Sequence, residues 1–193
     1  MNNTRLLMNF LKHPMTVGAV WPSSPKLCRQ MITGIGFQKF DCVIELGPGT
    51  GAITQCIASA AKPDAEIISV ELDRKMAEAL RGRFPRVKVI NASATDLRLI
   101  LDNHGRTWAD AVISGLPWTN FPKQLQSDIL DAVGETLRPG GYFTTFAYVH
   151  GVCMPTAQHF RRILRHRFES LEVLPVVWKN LPPAVVYRCR KSQ

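Results

Sequence analysis

Residues 43–51 read Val-Ile-Glu-Leu-Gly-Pro-Gly-Thr-Gly, and this motif is the strongest indication of the fold in the sequence. A short apolar run that stops at closely spaced glycines predicts a buried parallel strand followed by a tight turn. Apolar residues then recur at helical spacing from residue 52 to residue 60. A strand, a glycine-rich turn and a helix form the first half of a nucleotide-binding βαβ unit, in which a ligand can approach the backbone closely.

Acidic residues stand at the ends of the first two predicted strands. Glu45 lies near the end of the first strand, and Glu71 follows the second strand, at 66–70. A carboxylate at the tip of the second strand is placed to accept hydrogen bonds from ribose hydroxyls. The glycines fit the pattern Gly-x-Gly-x-x-Ala, which a tight turn without a ligand could also show. The acids therefore favour a nucleotide-like ligand over a purely structural turn.

Length and charge limit the possible functions. The chain has 193 residues, of which 46% are hydrophobic and 20% are charged. This length suits one α/β domain with a full core and leaves no room for a separate substrate domain. The 24 Lys and Arg residues outnumber the 15 Asp and Glu residues, which gives a net charge of +9. Such an excess favours a polyanionic partner, either nucleic acid or an anionic membrane surface.

The five cysteines are scattered singly, and none belongs to a Cys-x-x-Cys pair. We therefore expect a reducing, cytoplasmic compartment, no disulfide and no metal site. No apolar run approaches the roughly 18 residues that a membrane-spanning helix needs, so any membrane contact would be peripheral.

The first 32 residues predict two helices separated by an irregular segment. Residues 4–12 predict an amphipathic helix, which could either pack on the domain or lie in a membrane interface. Its apolar face would consist of Leu6, Leu7, Phe10 and Leu11. Residues 13–25 are apolar and aromatic, as expected of a segment that is buried or closes over a ligand. Ser24 is placed to cap a helix at 25–32.

From residue 41 onward, strands and helices alternate with short connections, which predicts an α/β fold with a parallel sheet. The predicted strands are 42–46, 66–70, 87–91, 109–114, 142–149, 171–178 and 184–190. The predicted helices are 52–60, 73–84, 96–103, 122–137 and 156–167. We expect one domain over residues 1–193, with an N-terminal amphipathic helix and lid at 1–40 and a Rossmann-like core at 41–193.

The glycine stretch and Glu71 together resemble the class I S-adenosylmethionine-dependent methyltransferases. Their first motif is similar to residues 45–51, and their second to Val-Glu-Leu-Asp at 70–73. The resemblance implies a Rossmann-like, seven-stranded sheet, mostly parallel with an antiparallel last strand, with helices on both faces and additional N-terminal helices. It also implies S-adenosylmethionine as the cofactor. The implied contacts in these two motifs are Glu45, Gly47, Gly49, Thr50, Gly51, Glu71 and Leu72.

The residues after the third strand are those with which this family binds adenine. The family usually has an acid where Ser93 stands, so we expect the hydroxyl of Ser93 and the N–H of Ala94 to serve instead. Asp96 is an alternative adenine contact, although a cap for the following helix is the commoner role for such an acid.

The fourth strand ends in Ser-Gly-Leu-Pro-Trp at 114–118, at the edge where ligands bind in open α/β sheets. We expect Gly115, Leu116 and Pro117 to line the cofactor site. In the adenine-methylating relatives, a similar tetrapeptide begins with Asn or Asp and ends in an aromatic residue that stacks on the base. Here Gly115 replaces the amide, so the likeness to enzymes that act on nucleic acid is incomplete.

Four blocks of the chain resemble the small bacterial phospholipid N-methyltransferases that act on phosphatidylethanolamine, which are related to the rRNA adenine dimethylases. The blocks are residues 13–24, 45–51, 114–117 and 180–184. The resemblance implies N-methylation of a phospholipid amine by a peripheral enzyme on the cytoplasmic face of the membrane. Alternative acceptors are rRNA adenine, a protein or a small molecule. A nicotinamide-dependent oxidoreductase and an inactive cofactor-binding module are further alternatives.

A phospholipid ammonium must lose a proton before its amine can attack, so a hydrogen-bonding group should lie near the acceptor. Tyr148 and His150, at the end of the fifth strand, are the catalytic candidates, although either could be an ordinary edge or loop residue. Trp21 and Trp118 could face a methylated ammonium or pack in the core. We expect anionic membranes to bind the helix at 4–12 together with the arginines of 156–167.

Overall fold

The computed structural model describes residues 22–193, and its central feature is a seven-stranded sheet with helices on both faces. The predicted helix at 4–12, the apolar segment up to residue 21 and Trp21 lie outside the described residues. The strands are β1 (Cys42–Leu46), β2 (Glu66–Glu71), β3 (Lys88–Asn91), β4 (Ala109–Ser114), β5 (Leu137–Tyr148), β6 (Ser170–Val173) and β7 (Ala184–Arg190). The helices are α1 (Pro25–Ile32), α2 (Ala52–Ala60), α3 (Arg74–Arg83), α4 (Leu97–Asn103), α5 (Lys123–Thr136) and α6 (Pro155–Arg167).

The strand order in the sheet is β3-β2-β1-β4-β5-β7-β6. All pairings from β3 to β5 are parallel, and β7 runs antiparallel to both β5 and β6. The order reverses between β1 and β4, which places their carboxyl ends side by side at the point where open α/β sheets bind ligands. The predicted seven-stranded sheet with an antiparallel last strand is confirmed.

Two apolar cores lie on opposite faces of this sheet. The core on one face is completed by α4, α5 and α6, and the core on the other by α1, α2 and α3. Alternate residues of β1 serve the two cores, so Ile44 and Leu46 lie on one face while Val43 lies on the other. Because Leu27, Met31 and Ile32 of α1 are buried, the packed layers extend N-terminally beyond residue 41.

Two strand boundaries differ from the prediction by about five residues, while the others differ by at most one. Strand β5 begins at Leu137, five positions before the predicted start, because Gly140 adopts a φ of 69° and a register shift lets the chain stay beside β4. Strand β6 ends at Val173 instead of residue 178. Pro175 has no N–H for the ladder, and beyond it only an isolated bridge between Val177 and Ala184 continues the pairing.

Candidate active site

The turn after β1 contains three glycines with positive φ, namely Gly47 at 67°, Gly49 at 53° and Gly51 at 84°. Residues with a side chain rarely adopt this conformation, so the glycines shape the turn. The N–H of Gly47 donates to the carbonyl of Val70 at 3.0 Å, which ties the turn to β2. The turn then leads directly into α2, whose first N–H groups have no partner within the helix.

Only one of the three glycines faces open space. A β-carbon on Gly47 would lie 2.7 Å from Leu116, and one on Gly51 would lie 2.6 Å from Phe84. A β-carbon on Gly49 would meet nothing within 4 Å. Packing therefore explains Gly47 and Gly51, whereas the space over Gly49 is free for a ligand. Thr50 beside it is exposed, and its carbonyl accepts a hydrogen bond from Arg83 at 2.8 Å.

Glu71 ends β2 with its carboxylate directed toward the glycine turn. One carboxylate oxygen accepts from the N–H of Gly49 at 3.3 Å, and the other accepts from the N–H of Asp73 at 2.9 Å. Burial raises the pKa of Glu71 above its ordinary value. The side chain of Asn91 donates to the carbonyls of Glu71 and Leu72 at 2.9 and 2.8 Å, which fixes the end of the strand. The carboxylate therefore lies where it could accept hydrogen bonds from a ribose beside the turn.

Glu45 lies beneath the turn and is fully buried. Its carboxylate accepts hydrogen bonds from the hydroxyls of Thr54, at 2.8 and 3.0 Å, and of Ser69. Burial raises the pKa of Glu45 to about 7, and the nearby charge of Glu71 acts in the same direction. Because both oxygens already have partners, Glu45 braces α2 against β2 and supports the turn from below.

The loop after β3 directs its serine inward. Ser93 is buried, and its oxygen bonds to the hydroxyl of Thr95 at 2.8 Å and accepts the N–H of Thr95 at 3.2 Å. Ala94 beside it is also buried. Asp96 occupies the N-cap position of α4, as the sequence predicts, but its carboxylate accepts no N–H of the helix. The Asp96 side chain is exposed to solvent, while Ser93 holds the loop.

The tip of β4 presses against the glycine turn. The N–H of Gly115 donates to the carbonyl of Leu46 at 2.8 Å, and a β-carbon on Gly115 would lie 2.7 Å from the carbonyl oxygen of Gly47. Leu116 is buried against Gly47, while Pro117 is half-buried. The tip thus has no space for a side chain at position 115.

Trp118 follows this tip and belongs to the core. It is buried, stacks on Phe160 with ring centroids 4.8 Å apart, and donates its indole N–H to the hydroxyl of Ser114 at 3.0 Å. Its ring faces are therefore covered by protein, and of the two readings the sequence left open, packing in the core is correct for Trp118.

Tyr148 and His150 lie together at the carboxyl end of β5. Their rings are stacked with centroids 5.8 Å apart and planes 9° apart. Tyr148 is half-buried, and burial raises the pKa of its phenol. His150 is exposed. The two predicted catalytic candidates are thus adjacent, and only Tyr148 is held by packing.

Charge is divided across this edge of the sheet. The residues that end or follow β2 and β3 include three acids at this edge: Glu71, Asp73 and Asp96. Four other segments meet at the far side of the edge, and none of them contains Asp or Glu. We call them together the acid-free side, which consists of residues 22–26, 115–123, 148–158 and 174–183. Lysines 26, 123 and 179 lie in them. The acidic side suits a hydroxyl-rich cation, and the acid-free side suits an anion.

Several supporting residues could not be recognised from the sequence. Thr54, Ser69 and Asn91 hold the two glutamates, and a polar residue within a predicted helix or strand was their only signal. Asn180 is buried and accepts the N–H of Ser24 at 2.8 Å, which joins two of the four blocks singled out in the sequence.

Comparisons with known proteins agree with this geometry. A family described as a methyltransferase domain matches residues 43–141. The ornithine lipid N-methyltransferase of Singulisphaera acidiphila is 36% identical over 187 residues, which cover 95% of this chain and 93% of that protein. The ribosomal RNA small subunit methyltransferase A of Acidobacterium capsulatum is 33% identical over 120 residues, covering 62% of this chain and 40% of that protein. An O-methyltransferase from Bacillus cereus, solved in complex with SAH, has a TM-score of 0.68 at 16% identity, over 99% of this chain and 92% of that one.

The chain belongs to the methyltransferase domain family and is an S-adenosylmethionine-dependent methyltransferase of class I. The residues present fit this cofactor, because the free space over Gly49 adjoins the carboxylate of Glu71. The predicted enzyme class and cofactor are confirmed, while all of the individual cofactor contacts and catalytic roles assigned from the sequence stay predictions.

Proposed function

We propose that this enzyme methylates the amine of a membrane lipid, with phosphatidylethanolamine and ornithine lipids as candidate acceptors. The likeness to an ornithine lipid N-methyltransferase over nearly the whole of both chains carries the proposal. The acid-free side supports it, because the phosphate of a phospholipid and the carboxylate of an amino-acid lipid are both anionic. Lys123 and Lys179 lie on this side and could attract such a headgroup.

Ribosomal RNA adenine is the second candidate acceptor, because the ribosomal RNA methyltransferases are also relatives. This chain spans less than half the length of the relative from Acidobacterium capsulatum. The β4 tip also disfavours a flipped base, since Gly115 leaves no room for an amide and Trp118 is buried under Phe160. An aromatic residue that stacks on a base must have an accessible ring face.

In the proposed mechanism, the chain binds and orients the reactants and excludes water from them. When bound, S-adenosylmethionine supplies an electrophilic methyl group on a sulfonium, which leaves as a neutral sulfide. Gly49 would provide the space for the cofactor, and Glu71 would accept hydrogen bonds from its ribose hydroxyls. Neither residue has to move a proton, because the sulfide leaves without one. Catalysis then depends mainly on alignment and on exclusion of water.

The acceptor amine needs help of a different kind, because its ammonium form must give up a proton before attack. Burial raises the pKa of Tyr148, so its phenol stays protonated at neutral pH and does not act as a phenolate base. The phenol oxygen can still accept an N–H of the substrate and orient its lone pair. The released proton would pass to water, either directly or by way of the exposed His150.

We also propose that the enzyme works as a peripheral protein on the cytoplasmic face of the membrane. Among residues 22–193, no helix has the length and apolar character needed to cross a bilayer. The predicted anchor at 4–12 lies outside the described residues. On α6, Arg162, Arg165, His166 and Arg167 are exposed, but Arg167 also pairs with Asp131. The basic residues left for an anionic surface are therefore fewer than the sequence predicts.

The test is a transfer assay with a radiolabelled methyl donor and parallel acceptors. Vesicles containing phosphatidylethanolamine, vesicles containing ornithine lipid, and ribosomal RNA are each incubated with the purified protein and with Gly49→Val as an inactive control. We expect label in lipid and none in RNA. Label in adenine, with none in either lipid, would overturn the lipid assignment and establish the second candidate.

A further inference from the structure

A loop at residues 178–183 projects from the carboxyl edge of the sheet, between the end of β6 and the start of β7. Backbone hydrogen bonds between Val177 and Ala184 close its base, the shorter at 2.8 Å. In the sheet, β7 lies next to β5, so this 178–183 loop adjoins the end of β5 that carries Tyr148 and His150.

Buried polar contacts hold the 178–183 loop in place. The side chain of Asn180 accepts the N–H of Ser24 at 2.8 Å and donates to the carbonyl of Pro182 at 2.7 Å. The carbonyl of Pro183 accepts the N–H of Val149 at 2.8 Å. The loop is therefore tied to the segment before α1, to itself and to the end of β5, so the backbone that carries its outward side chains is held in place.

Those outward side chains are large and apolar. Trp178 is 72% exposed and Leu181 is 64% exposed, and Met154 in the neighbouring segment of the acid-free side is 52% exposed. Apolar side chains that a rigid loop keeps in water indicate a surface that another apolar phase covers. Tryptophan is favoured where one side of a residue is apolar and the other is wet, as at the boundary of a bilayer.

The charges around the loop identify the partner. Lys179 lies between the two apolar residues, and Lys26 stands in the first turn of α1, next to the segment that Asn180 binds. No Asp or Glu occurs anywhere on the acid-free side. Exposed apolar residues interspersed with lysines, without a nearby acid, match an anionic bilayer surface. A protein partner of ordinary composition would not require this uniform absence of acids.

We propose that the 178–183 loop is a membrane-contacting tip that inserts Trp178 and Leu181 at the headgroup boundary of an anionic bilayer. This inference rests on the proposed function and deepens it. Because the tip adjoins the end of β5, its insertion brings Tyr148 and the β4 tip to the level of the headgroups. A lipid amine would then enter the acid-free side without leaving the membrane.

Vesicle co-sedimentation tests the tip directly. Trp178→Ser/Leu181→Ser is compared with wild type and with Trp108→Ser, which is matched because Trp108 is 44% exposed but precedes β4 at the opposite edge. On equimolar phosphatidylcholine–phosphatidylglycerol vesicles, we expect the double variant to bind about tenfold more weakly and the Trp108 variant to bind normally. Phosphatidylcholine vesicles should bind all three proteins poorly. Unchanged binding of the double variant to the anionic vesicles would overturn the proposal.

Fluorescence provides a readout that misfolding cannot imitate. Brominated lipids in the anionic vesicles should quench wild type and Trp108→Phe, and quench Trp178→Phe less, although Phe preserves an apolar tip. Equal quenching of the two Phe variants would contradict insertion of Trp178.

Shielding of Trp178 from acrylamide before vesicles are added would show that residues 1–21 cover the tip. A dimer that the double variant abolishes would show a second copy of the chain there. Either result overturns the proposal.

Methyl transfer separates this inference from the proposed function. The double variant should methylate an amine lipid dispersed in detergent micelles as well as wild type does, and methylate the same lipid in anionic vesicles more slowly. If wild type methylates no lipid in either form, the proposed function fails, while the vesicle-binding result still decides whether the tip contacts membranes.

Discussion

Gly115 and Gly47 meet so closely that a β-carbon on Gly115 would lie 2.7 Å from the carbonyl oxygen of Gly47. The gap between the β4 tip and the glycine turn therefore has no room for a side chain, and the hydrogen bond from the N–H of Gly115 to the carbonyl of Leu46 holds the tip beside the turn. A motif that begins with Asn at this position needs a different separation of tip and turn.

Gly115→Ala should disturb the glycine turn after β1. We expect a loss of about 1–3 kcal/mol in the free energy of unfolding, because the added carbon must push the turn away. The affinity for S-adenosylmethionine should fall as well, measured by calorimetry. Gly82→Ala on α3 is the control, since an added carbon there meets nothing within 4 Å. Equal affinity in the two variants would contradict the coupling of tip and turn.

Gly49→Val should block the cofactor while leaving the fold intact. Its matched control is Gly36→Val, because both glycines have a positive φ and both face space that is empty within 4 Å. Each variant should lose about 1–2 kcal/mol of stability from the left-handed backbone. Only Gly49→Val should weaken binding of S-adenosylmethionine, and Glu71→Ala should weaken it independently. If calorimetry found normal affinity in Gly49→Val and Glu71→Ala, the site would have to lie elsewhere.

Glu45→Gln should change how stability depends on pH. In the unfolded chain the carboxyl ionises near its ordinary value of 4.5, whereas in the folded protein it keeps its proton up to about 7. Between these values the unfolded state binds fewer protons, so the contribution of Glu45 to stability falls as pH rises. Over this pH range, the contribution of Glu45 to the free energy of unfolding falls by roughly 3 kcal/mol. Urea unfolding at pH 4.5 and pH 8 should therefore show that the free energy of unfolding of the variant, relative to wild type, is higher at pH 8. A difference between the two proteins that does not change with pH would contradict the raised pKa of Glu45.

Tyr148→Phe should lower turnover without changing affinity for the methyl donor. We expect kcat/KM for the lipid amine to fall about tenfold, which is less than the roughly 10²–10⁴-fold contributed by a group that transfers a proton, because Tyr148 only orients the amine. His150→Ala should have a smaller effect, since the imidazole is exposed. Tyr142→Phe is the control, because Tyr142 lies on the same strand at the end near Arg190. A normal rate in Tyr148→Phe would remove this residue from the proposed mechanism.

The sequence predicts the sheet well because its signals are local. The apolar run of β1, the glycines that end it and the helical spacing after them lie within 20 consecutive residues. Strand boundaries were less predictable where a single residue decides them. Gly140 extended β5 through a bulge, although Gly and Pro after a helix usually indicate a loop.

The site was less predictable because its contacts join distant parts of the chain. Trp118 could equally have faced a substrate, and only the stacking of Phe160 from α6 shows that it is buried. The partners of Glu45 come from α2 and β2, and Asn180 reaches Ser24 across 156 positions of sequence. Such pairs follow from topology, which no local periodicity describes.

The position of β7 has a consequence for how the chain is made. This strand follows the other six described strands in the sequence, yet it lies between β5 and β6 and pairs antiparallel with both of them. Until β7 emerges from the ribosome, β6 has no neighbour in the sheet, and the loop whose Asn180 accepts the N–H of Ser24 is not anchored. The glycine turn and β1 to β4 can be assembled long before that moment. The half of the protein proposed to bind the methyl donor can therefore fold during translation before β7 is made, whereas the half proposed to meet the membrane must wait for β7.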